Sequence, residues 1–176
     1  FAEQKFKPAR LFKLARSKAY LYAGVEIRWK CAASLASEEV PAEATFQFPG
    51  GLADHLTEQL GERECVTAKF FAGLQDFPRN EQGEDQGRAE WAVAWPLWSD
   101  GSFSWYCNTI PTHDGGTHEQ GLRAALVKGI RAFGELVGVK KAKDISADDI
   151  FTGSEIMLSV FLRDPQFQSQ TKDRLT

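Results

Sequence analysis

Residues 91–107, WAVAWPLWSDGSFSWYC, alternate large apolar side chains with smaller or polar ones on both sides of Ser99-Asp100-Gly101. A period of two is typical of a half-buried strand, and Ser-Asp-Gly is a turn signal. The stretch therefore predicts a β-hairpin. Tryptophans at strand spacing favour a position in the core, with a stacking platform for nucleic-acid bases as the alternative.

Shorter patterns predict the elements before this hairpin. Pro8 and Gly24 suit the start and the end of a helix, whose inner stripe comprises Leu11, Leu14, Ala15 and Leu21. The other predicted elements are strands at 25–31 and 45–48, a helix at 52–60, a strand at 66–74 and an acidic surface loop at 75–88. Six basic residues between positions 5 and 18 form either a solvated helix face or a surface for an acidic partner or DNA.

Helical spacing dominates after the hairpin. Thr117 and Gln120 have the spacing of a capping box, which predicts a helix that ends at Gly138. The apolar face of this helix comprises Leu122, Leu126, Ile130, Phe133 and Val137. Ser146 and Asp149 open a short second helix, residues 156–162 form a strand covered on both faces, and residues 166–176 are a polar tail. Strands followed by helices predict an α+β fold, a two-layer structure with helices on one face of a sheet.

The composition is that of a globular domain, with 176 residues, 43% of them apolar and 26% charged, and a net charge of −3. No apolar run approaches the ~20 residues of a membrane span, and the charged first residues argue against a signal peptide. Three cysteines without a CxxC pair indicate reduced thiols in a cytoplasm. Since the chain begins at Phe1 rather than at Met, we expect a fragment of a longer protein.

Motifs for a complete active site are absent from the sequence. His113 and His118 flank Asp114, but their spacing across a Gly-Gly pair does not suit a metal site and favours a loop followed by a helix cap. Gln170-Thr171-Lys172 follows a buried strand and a Pro turn. An ammonium and an amide presented together on a loop can bind phosphate oxygens, with a solvated tail as the alternative.

Several short motifs occur in an order that is specific to one family. They are Asn108-Thr109-Ile110-Pro111, Asp114-Gly115-Gly116-Thr117-His118, Gly121-Leu122-Arg123, Leu158-Ser159-Val160, Asp164-Pro165-Gln166-Phe167 and Gln170-Thr171-Lys172. This order resembles the second domain of the ATPase subunit of bacterial type II DNA topoisomerases, which is the B-subunit of topoisomerase IV (ParE) or of DNA gyrase (GyrB). Segments such as Ala19-Tyr20-Leu21 and Ser146-Ala147-Asp148-Asp149-Ile150 are more similar to the topoisomerase IV branch.

The resemblance carries a fold and a domain role. In that family the second domain is the transducer, which follows an ATP-binding domain of the GHKL type. The resemblance implies that residues 1–176 are a single transducer domain of the topoisomerase IV B-subunit, without that ATP-binding domain. It also implies the fold of the second domain of ribosomal small-subunit protein five, with a left-handed βαβ crossover, although about 98% of parallel crossovers are right-handed.

The resemblance also implies site residues. Gln170 and Lys172 contact the γ-phosphate of ATP, with Thr171 between them, so that Lys172 completes the ATP site of the missing domain. Arg123 matches one of the basic residues that line a cavity for DNA. ATP and Mg²⁺ belong to the full-length protein, and none is expected in this fragment, which we expect to be inactive alone. Residues 168–176 are expected to be exposed and mobile unless a neighbouring molecule orders them.

The implied partners are the protein's own N-terminal ATP-binding domain, a second copy of the same protein to form a dimer, the topoisomerase IV A-subunit and double-stranded DNA, with no membrane. ATP binding closes a dimeric gate on a DNA segment, and hydrolysis reopens it during decatenation and relaxation. The first alternative is the same domain of the DNA gyrase B-subunit. The second is a stand-alone nucleic-acid-binding module, which the net charge of −3 disfavours.

Overall fold

A computed structural model describes residues 6–176 of the chain. These residues form a mixed α/β structure that divides into two compact units, a first that ends at Gln59 and a second, Leu60–Thr176. The single domain expected over 1–176 stays a prediction, and Phe1 and Lys5 lie outside the described residues. Within 6–176, no helix combines the length and the apolar character that a membrane span requires.

The first unit contains a two-stranded antiparallel sheet and two helices. Its elements are α1 (Pro8–Leu21), β1 (Ile27–Lys30), a short 3₁₀ helix (Ala33–Leu35), β2 (Glu43–Phe46) and α2 (Leu52–Leu60). Strands β1 and β2 pair with Ile27 opposite Phe46. All four predicted helices and strands of this region exist, and the Leu52, Leu56 and Leu60 repeat of α2 is buried as its spacing indicates.

The inner side of α1 differs from the predicted leucine stripe. Phe12 packs edge-on against Trp29 and Phe46, with ring centroids 5.3 and 5.2 Å apart. Leu11 and Leu14 are 38% and 49% exposed, so the predicted stripe is wrong at these two positions. An aromatic ring removes more apolar area from water than a leucine does, which favours the orientation that buries Phe12.

The second unit is built on a five-stranded sheet. Its strands are β3 (Phe71–Asp76), β4 (Gly87–Ala94), β5 (Ser102–Cys107), β6 (Ile110–Pro111) and β7 (Glu155–Leu162), in the spatial order β3-β4-β7-β5-β6. Strand β4 is antiparallel to both β3 and β7, whereas β5 and β7 are parallel. The last strand in sequence therefore occupies the centre of the sheet.

The predicted hairpin is wrong, although both of its strands exist. Strand β7 lies between β4 and β5, and it is buried from Glu155 through Val160. A strand covered on both faces is typical of a sheet centre, where neighbours on both sides satisfy its backbone hydrogen bonds. Leu158 pairs with Trp91 on one side and with Trp105 on the other, which confirms the interpretation of these tryptophans as core residues.

The boundaries of the third strand and of the acidic loop are also corrected. Strand β3 begins later than predicted, because Val66 instead donates its backbone N–H to the carbonyl of Trp95, 2.8 Å away. Gln75 and Asp76 pair with Ala89 and Arg88, so both ends of the predicted loop belong to strands. The loop is reduced to residues 77–86, which connect an antiparallel pair.

Two helices connect the parallel strands β5 and β7. They are α3 (Thr117–Leu136) and α4 (Ala147–Phe151), with a 3₁₀ turn (Ala142–Asp144) between them. The predicted start of α4 at Ser146 and Asp149 is confirmed, and the two residues form a capping box: the Ser146 side chain accepts from the Asp149 N–H and the Asp149 carboxylate accepts from the Ser146 N–H. The parallel crossover is therefore present, and its left-handedness stays a prediction.

Asn108 fixes the end of the pairing between β5 and β7. Its side-chain amide donates to the carbonyl of Leu162 at 2.9 Å, and its Oδ1 accepts from the Leu162 N–H at 2.8 Å. The backbone of Asn108 has a φ of 47°, in the left-handed region that Asn tolerates better than most residues. The Asn108 side chain thus bonds both backbone groups of Leu162, as a neighbouring strand would, at the point where the chain leaves β5 and continues to β6.

The apolar face of α3 packs on the sheet only in part. Leu126 is buried and Leu122 and Ile130 are half-buried, whereas Phe133 and Val137 are 65% and 55% exposed. A groove of about 1010 Å³, with almost entirely apolar walls, lies between α3 and the face of β3, β4 and β7. The predicted apolar face is therefore correct from Leu122 to Ile130 and wrong at Phe133 and Val137.

A buried histidine in the first unit generates a pH-dependent prediction. His55 is 5% exposed, stacked on Tyr20 with ring centroids 3.9 Å apart, and burial lowers its pKa from 6.5 to about 4. At a pH between the two pKa values, His55 is protonated in the unfolded chain and neutral in the folded chain. The free energy of unfolding is therefore highest above the unfolded pKa and decreases as the pH falls toward the folded pKa. We expect the urea midpoint of the chain to fall between about pH 7 and about pH 5.

Two variants check the source of this pH dependence. His55→Leu should reduce the fall in the urea midpoint, and His118, whose pKa burial also lowers, should account for part of the remainder. His113→Gln, at an exposed loop position, should keep the wild-type pH dependence. An undiminished fall in His55→Leu would contradict the assignment.

Candidate functional site

The segment that carries Gln170, Thr171 and Lys172 folds back on itself as a narrow hairpin. The N–H of Gln168 donates to the carbonyl of Arg174 at 3.0 Å, and that of Thr176 donates to the carbonyl of Gln166 at 2.9 Å. Phe167 and Leu175 form an antiparallel bridge between these two bonds. We call residues 166–176 the C-terminal hairpin.

Gln170, Thr171 and Lys172 lie at the tip of this hairpin and are exposed. The Lys172 N–H donates to the carbonyl of Ser169 at 3.1 Å, and the hydroxyls of Ser169 and Thr171 lie 2.7 Å apart. Lys172 has a φ of 62°, and its Nζ lies 5.7 Å from the centroid of the Phe167 ring. The side chains of Gln170 and Lys172 are therefore both exposed at the tip, and their contact with phosphate stays a prediction.

The base of the hairpin is anchored on the start of α3. Leu175 is 3% exposed, its N–H donates to the carbonyl of Gly115, and its carbonyl accepts from the N–H of Thr117, both at 3.1 Å. The expectation that residues 168–176 are exposed is wrong at Leu175, which contacts within the same chain hold in place, while the mobility of this segment stays a prediction. Burial of the apolar Leu175 side chain stabilises the anchor in addition to the two backbone hydrogen bonds.

This anchor also explains why the predicted capping box of α3 is wrong. The residue before the helix is Gly116, and the N–H of Thr117 is satisfied by Leu175 rather than by a side chain near it in sequence. The first N–H groups of a helix have no partner within the helix, so a carbonyl from the tail can take the role of a cap. The cap is thus supplied by a residue that local spacing does not reveal.

A second pair of contacts strengthens the anchor beside the Gly-Gly pair. The N–H of Asp114 donates to the carbonyl of Asp173 at 2.9 Å. The guanidinium of Arg174 donates to the carbonyl of Asp114 at 2.8 Å. Residues 173–175 are therefore bonded to residues 114–117 on both sides of Gly116.

The histidines near this anchor do not form a metal site. His118 Nε2 lies 3.0 Å from the Thr112 hydroxyl, its ring packs edge-on against Trp105, and burial lowers its pKa. His113 is exposed and belongs to the preceding loop. Across the part of the chain that the structure describes, no three His, Cys, Asp or Glu side chains are grouped so that they could hold a metal ion.

Arg123 lies on α3 and is packed over aromatic rings. Its guanidinium lies 4.4 Å from the centroid of the Phe151 ring and 4.9 Å from that of Phe103. Its Nε donates to the Glu119 carboxylate at 2.8 Å, and one third of the side chain is exposed. Cation–π contacts and an ion pair one helical turn away give Arg123 a structural role, whatever else it contacts.

Comparison with known proteins gives the family of the chain. A profile of the DNA gyrase B family matches residues 51–176. The chain belongs to the DNA gyrase B family. Within that family it is similar to the DNA topoisomerase 4 B-subunit of Caulobacter vibrioides, at 47% identity over 97% of this chain and 24% of the relative. The corresponding protein of Salmonella typhimurium is 34% identical over the whole chain and 26% of its own length.

Solved structures share the fold of this chain. The 43K ATPase domain of Thermus thermophilus gyrase B superposes with a TM-score of 0.76 at 23% identity, over 99% of this chain and 44% of that one. The topoisomerase IV ATP binding domain of Francisella tularensis superposes with a TM-score of 0.73 at 25% identity, with the same coverage. The chain spans about a quarter of the length of the curated relatives it matches.

The sequence identified the tip of the C-terminal hairpin but missed its anchor. Gly116, Arg174 and Leu175 were given no individual role, although they hold the tip in place. Two signals pointed to them: Leu175 is one of two apolar residues in an otherwise polar tail, and adjacent glycines permit a close backbone approach. Neither feature of the sequence shows that residues 173–175 contact residues 114–117, because these segments lie far apart in the chain.

Arg123 generates a stability prediction. Arg123→Gln removes the cation–π contacts and the ion pair with Glu119, so the free energy of unfolding of the chain should fall by about 1 kcal/mol. Lys128→Gln, at an exposed position of the same helix, is the matched control and should change little. Urea unfolding measures both variants, and an unchanged midpoint for Arg123→Gln would exclude the structural role.

Proposed function

We propose that this chain is the transducer domain of a topoisomerase IV B-subunit, which acts in the cytoplasm as part of an ATP-hydrolysing type II DNA topoisomerase. In this proposal, ATP held by a separate GHKL-type domain controls the closure of a dimeric gate on DNA. The observation that carries the proposal is the hairpin tip, where Gln170 and Lys172 are exposed on a segment that is anchored to the start of α3. Membership of the DNA gyrase B family supports it.

The chemistry assigned to Lys172 follows from its charge. Negative charge develops on the phosphoryl group as it leaves ATP, and an ammonium already in position stabilises that charge without further reorganisation. The amide of Gln170 donates to another oxygen of the same group. Thr171 lies between them, and its hydroxyl is already close to that of Ser169, which favours a role in shaping the turn.

The remaining parts of the ATP site belong to the separate domain in this proposal. Among positions 6–176, no three His, Cys, Asp or Glu side chains are grouped so that they could hold a metal ion. We therefore assign the nucleotide pocket, the Mg²⁺ ligands and the general base to the ATP-binding domain, and derive no step through the ion.

A lysine on a second domain makes domain orientation depend on the nucleotide. An orientation in which Lys172 reaches the γ-phosphate is favoured when ATP is bound and loses that contact in ADP. This is how the chain would couple hydrolysis to movement of the gate. The partners in the proposal are the protein's own ATP-binding domain, a second copy of the same protein, the topoisomerase IV A-subunit and double-stranded DNA.

The proposal also gives Arg123 a role in the cavity that holds DNA. Its guanidinium is engaged by Glu119 and by aromatic rings, although one third of the side chain remains exposed and can meet a phosphate. In the parent enzyme, a role in contacting DNA requires Arg123→Gln to lower DNA-stimulated ATP turnover while basal turnover is kept. Equal loss of both rates would leave only the structural role.

The B-subunit of DNA gyrase is the alternative within the same family. Identity to proteins named as topoisomerase 4 B-subunits favours the topoisomerase IV branch. A supercoiling assay on the assembled parent enzyme separates the two, since ATP-dependent introduction of supercoils would identify a gyrase. A stand-alone nucleic-acid-binding module would instead need tight, salt-dependent DNA binding by this chain alone, which its net charge of −3 disfavours.

The first prediction from the proposal concerns nucleotide binding. The 176-residue chain should show no measurable binding of a non-hydrolysable ATP analogue and no ATP hydrolysis, because an exposed turn cannot bury a nucleotide. Isothermal titration calorimetry measures the binding. Micromolar affinity for the chain alone would show that a nucleotide pocket lies within it, against the proposal.

The second prediction concerns Lys172 in the parent enzyme. Lys172→Ala should lower ATP turnover by about 10²–10³-fold, as expected for loss of one positioned charge at the transferred group. The affinity for ADP should hardly change, because ADP lacks the γ-phosphate. Lys172→Arg should restore turnover only in part, since a forked guanidinium does not replace a compact ammonium.

Two controls accompany this measurement. Lys140→Ala removes an exposed lysine elsewhere in the chain and should keep wild-type turnover. The thermal stability of Lys172→Ala should match that of the wild type, because Lys172 is exposed at the hairpin tip. Turnover near the wild-type rate in Lys172→Ala would remove the proposed role.

A further inference from the structure

The contact between Gly116 and Leu175 leaves no space for a side chain. A Cβ atom on Gly116 would lie 2.2 Å from the backbone oxygen of Leu175 and 2.7 Å from its backbone nitrogen. Gly116 also has a φ of 138°, a conformation that side-chain-bearing residues rarely adopt. Neither backbone atom can move without breaking the hydrogen bonds of Leu175 to Gly115 and Thr117.

We infer that Gly116 is a positioning residue for Lys172, an inference that rests on the proposed function of the hairpin tip. Only Asp173 and Arg174 separate Lys172 from Leu175 in sequence, and both are bonded to Asp114. The tip is thus attached to the residues just before α3 through Asp173 and Arg174, each of which forms one hydrogen bond with Asp114. The close approach at Gly116 fixes where the Lys172 ammonium is presented.

Backbone hydrogen bonds link the C-terminal hairpin to the start of α3. The helix begins at Thr117, whose N–H donates to the Leu175 carbonyl, so a displacement of Leu175 also disturbs the first turn of the helix. The same helix carries Leu126, which is buried in the core of the second unit. A methyl group added at Gly116 would lie against the backbone of Leu175 and would therefore disturb this link directly.

The test is a double-mutant cycle in the parent enzyme. Gly116→Ala should displace the tip and lower ATP turnover by about 10²-fold, the loss that a misplacement of about 1 Å can cause, with ADP affinity unchanged. If Gly116 acts through Lys172, the double variant Gly116→Ala/Lys172→Ala should lose no more turnover than Lys172→Ala alone. Gly121→Ala is the matched control, since it lies on the same helix and its added Cβ would meet nothing within 4 Å.

A readout independent of activity comes from hydrogen exchange of the 176-residue chain. The amides of Asp114, Thr117 and Leu175 should lose protection in Gly116→Ala and keep it in Gly121→Ala, while the amides of β7 stay protected in both. Should Gly116→Ala fail to fold, Arg174→Ala removes the side-chain bond to Asp114 without altering the helix. That variant should lower turnover by a smaller factor than Gly116→Ala, because the backbone bonds of Asp114 and Leu175 remain and limit the displacement of the tip.

The outcomes separate this inference from the proposed function. Wild-type turnover in Gly116→Ala, or losses that multiply in the double variant, would overturn the inference and leave the role of Lys172 standing. Wild-type turnover in Lys172→Ala would overturn the proposed function and the positioning role with it. Loss of turnover in both single variants without further loss in the double variant is the expected result.

Discussion

The central position of β7 is the constraint on which the second unit depends. This strand is antiparallel to β4 and parallel to β5, and it is buried along most of its length. Leu158 pairs with a tryptophan on each side, so the same residue joins the two halves of the sheet. A parallel partner for β5 requires a long connection across one face, and α3 and α4 supply it.

The candidate site is a consequence of this topology. The chain leaves β7 at Leu162, bends at Arg163 and Asp164 and returns to the start of α3, where the backbone carbonyl of Leu175 caps the helix. The contacts of Leu175 that cap α3 are therefore the same contacts that anchor the C-terminal hairpin, and the exposed tip with Lys172 lies next to them in sequence. Lys172, for which we propose a contact with phosphate, therefore lies on a segment that the buried Leu175 and backbone hydrogen bonds to residues 114–117 hold in place.

Local patterns in the sequence predicted local structure well. The spacing of Leu52, Leu56 and Leu60 predicted α2, and Ser146 with Asp149 predicted the cap of α4. Strand pairing was not predictable in this way. The alternation of apolar and polar residues in β4 and β5 fits a hairpin equally well, and only β7, a more apolar strand far along the chain, separates the two. The cap of α3 was also not predictable from local spacing. Thr117 and Gln120 suggested a side-chain cap, whereas the carbonyl of Leu175 caps the helix. The tip of the C-terminal hairpin was identified by residue type alone, but its anchor depends on contacts across about sixty positions.

An experimental structure of the parent protein with a non-hydrolysable ATP analogue would show whether the hairpin tip reaches the nucleotide. We expect Lys172 Nζ at about 3 Å from a γ-phosphate oxygen. We also expect Leu175 to remain bonded to Gly115 and Thr117 in that state. A Lys172 side chain directed into solvent, with the γ-phosphate contacted by the ATP-binding domain alone, would contradict the proposed role of Lys172.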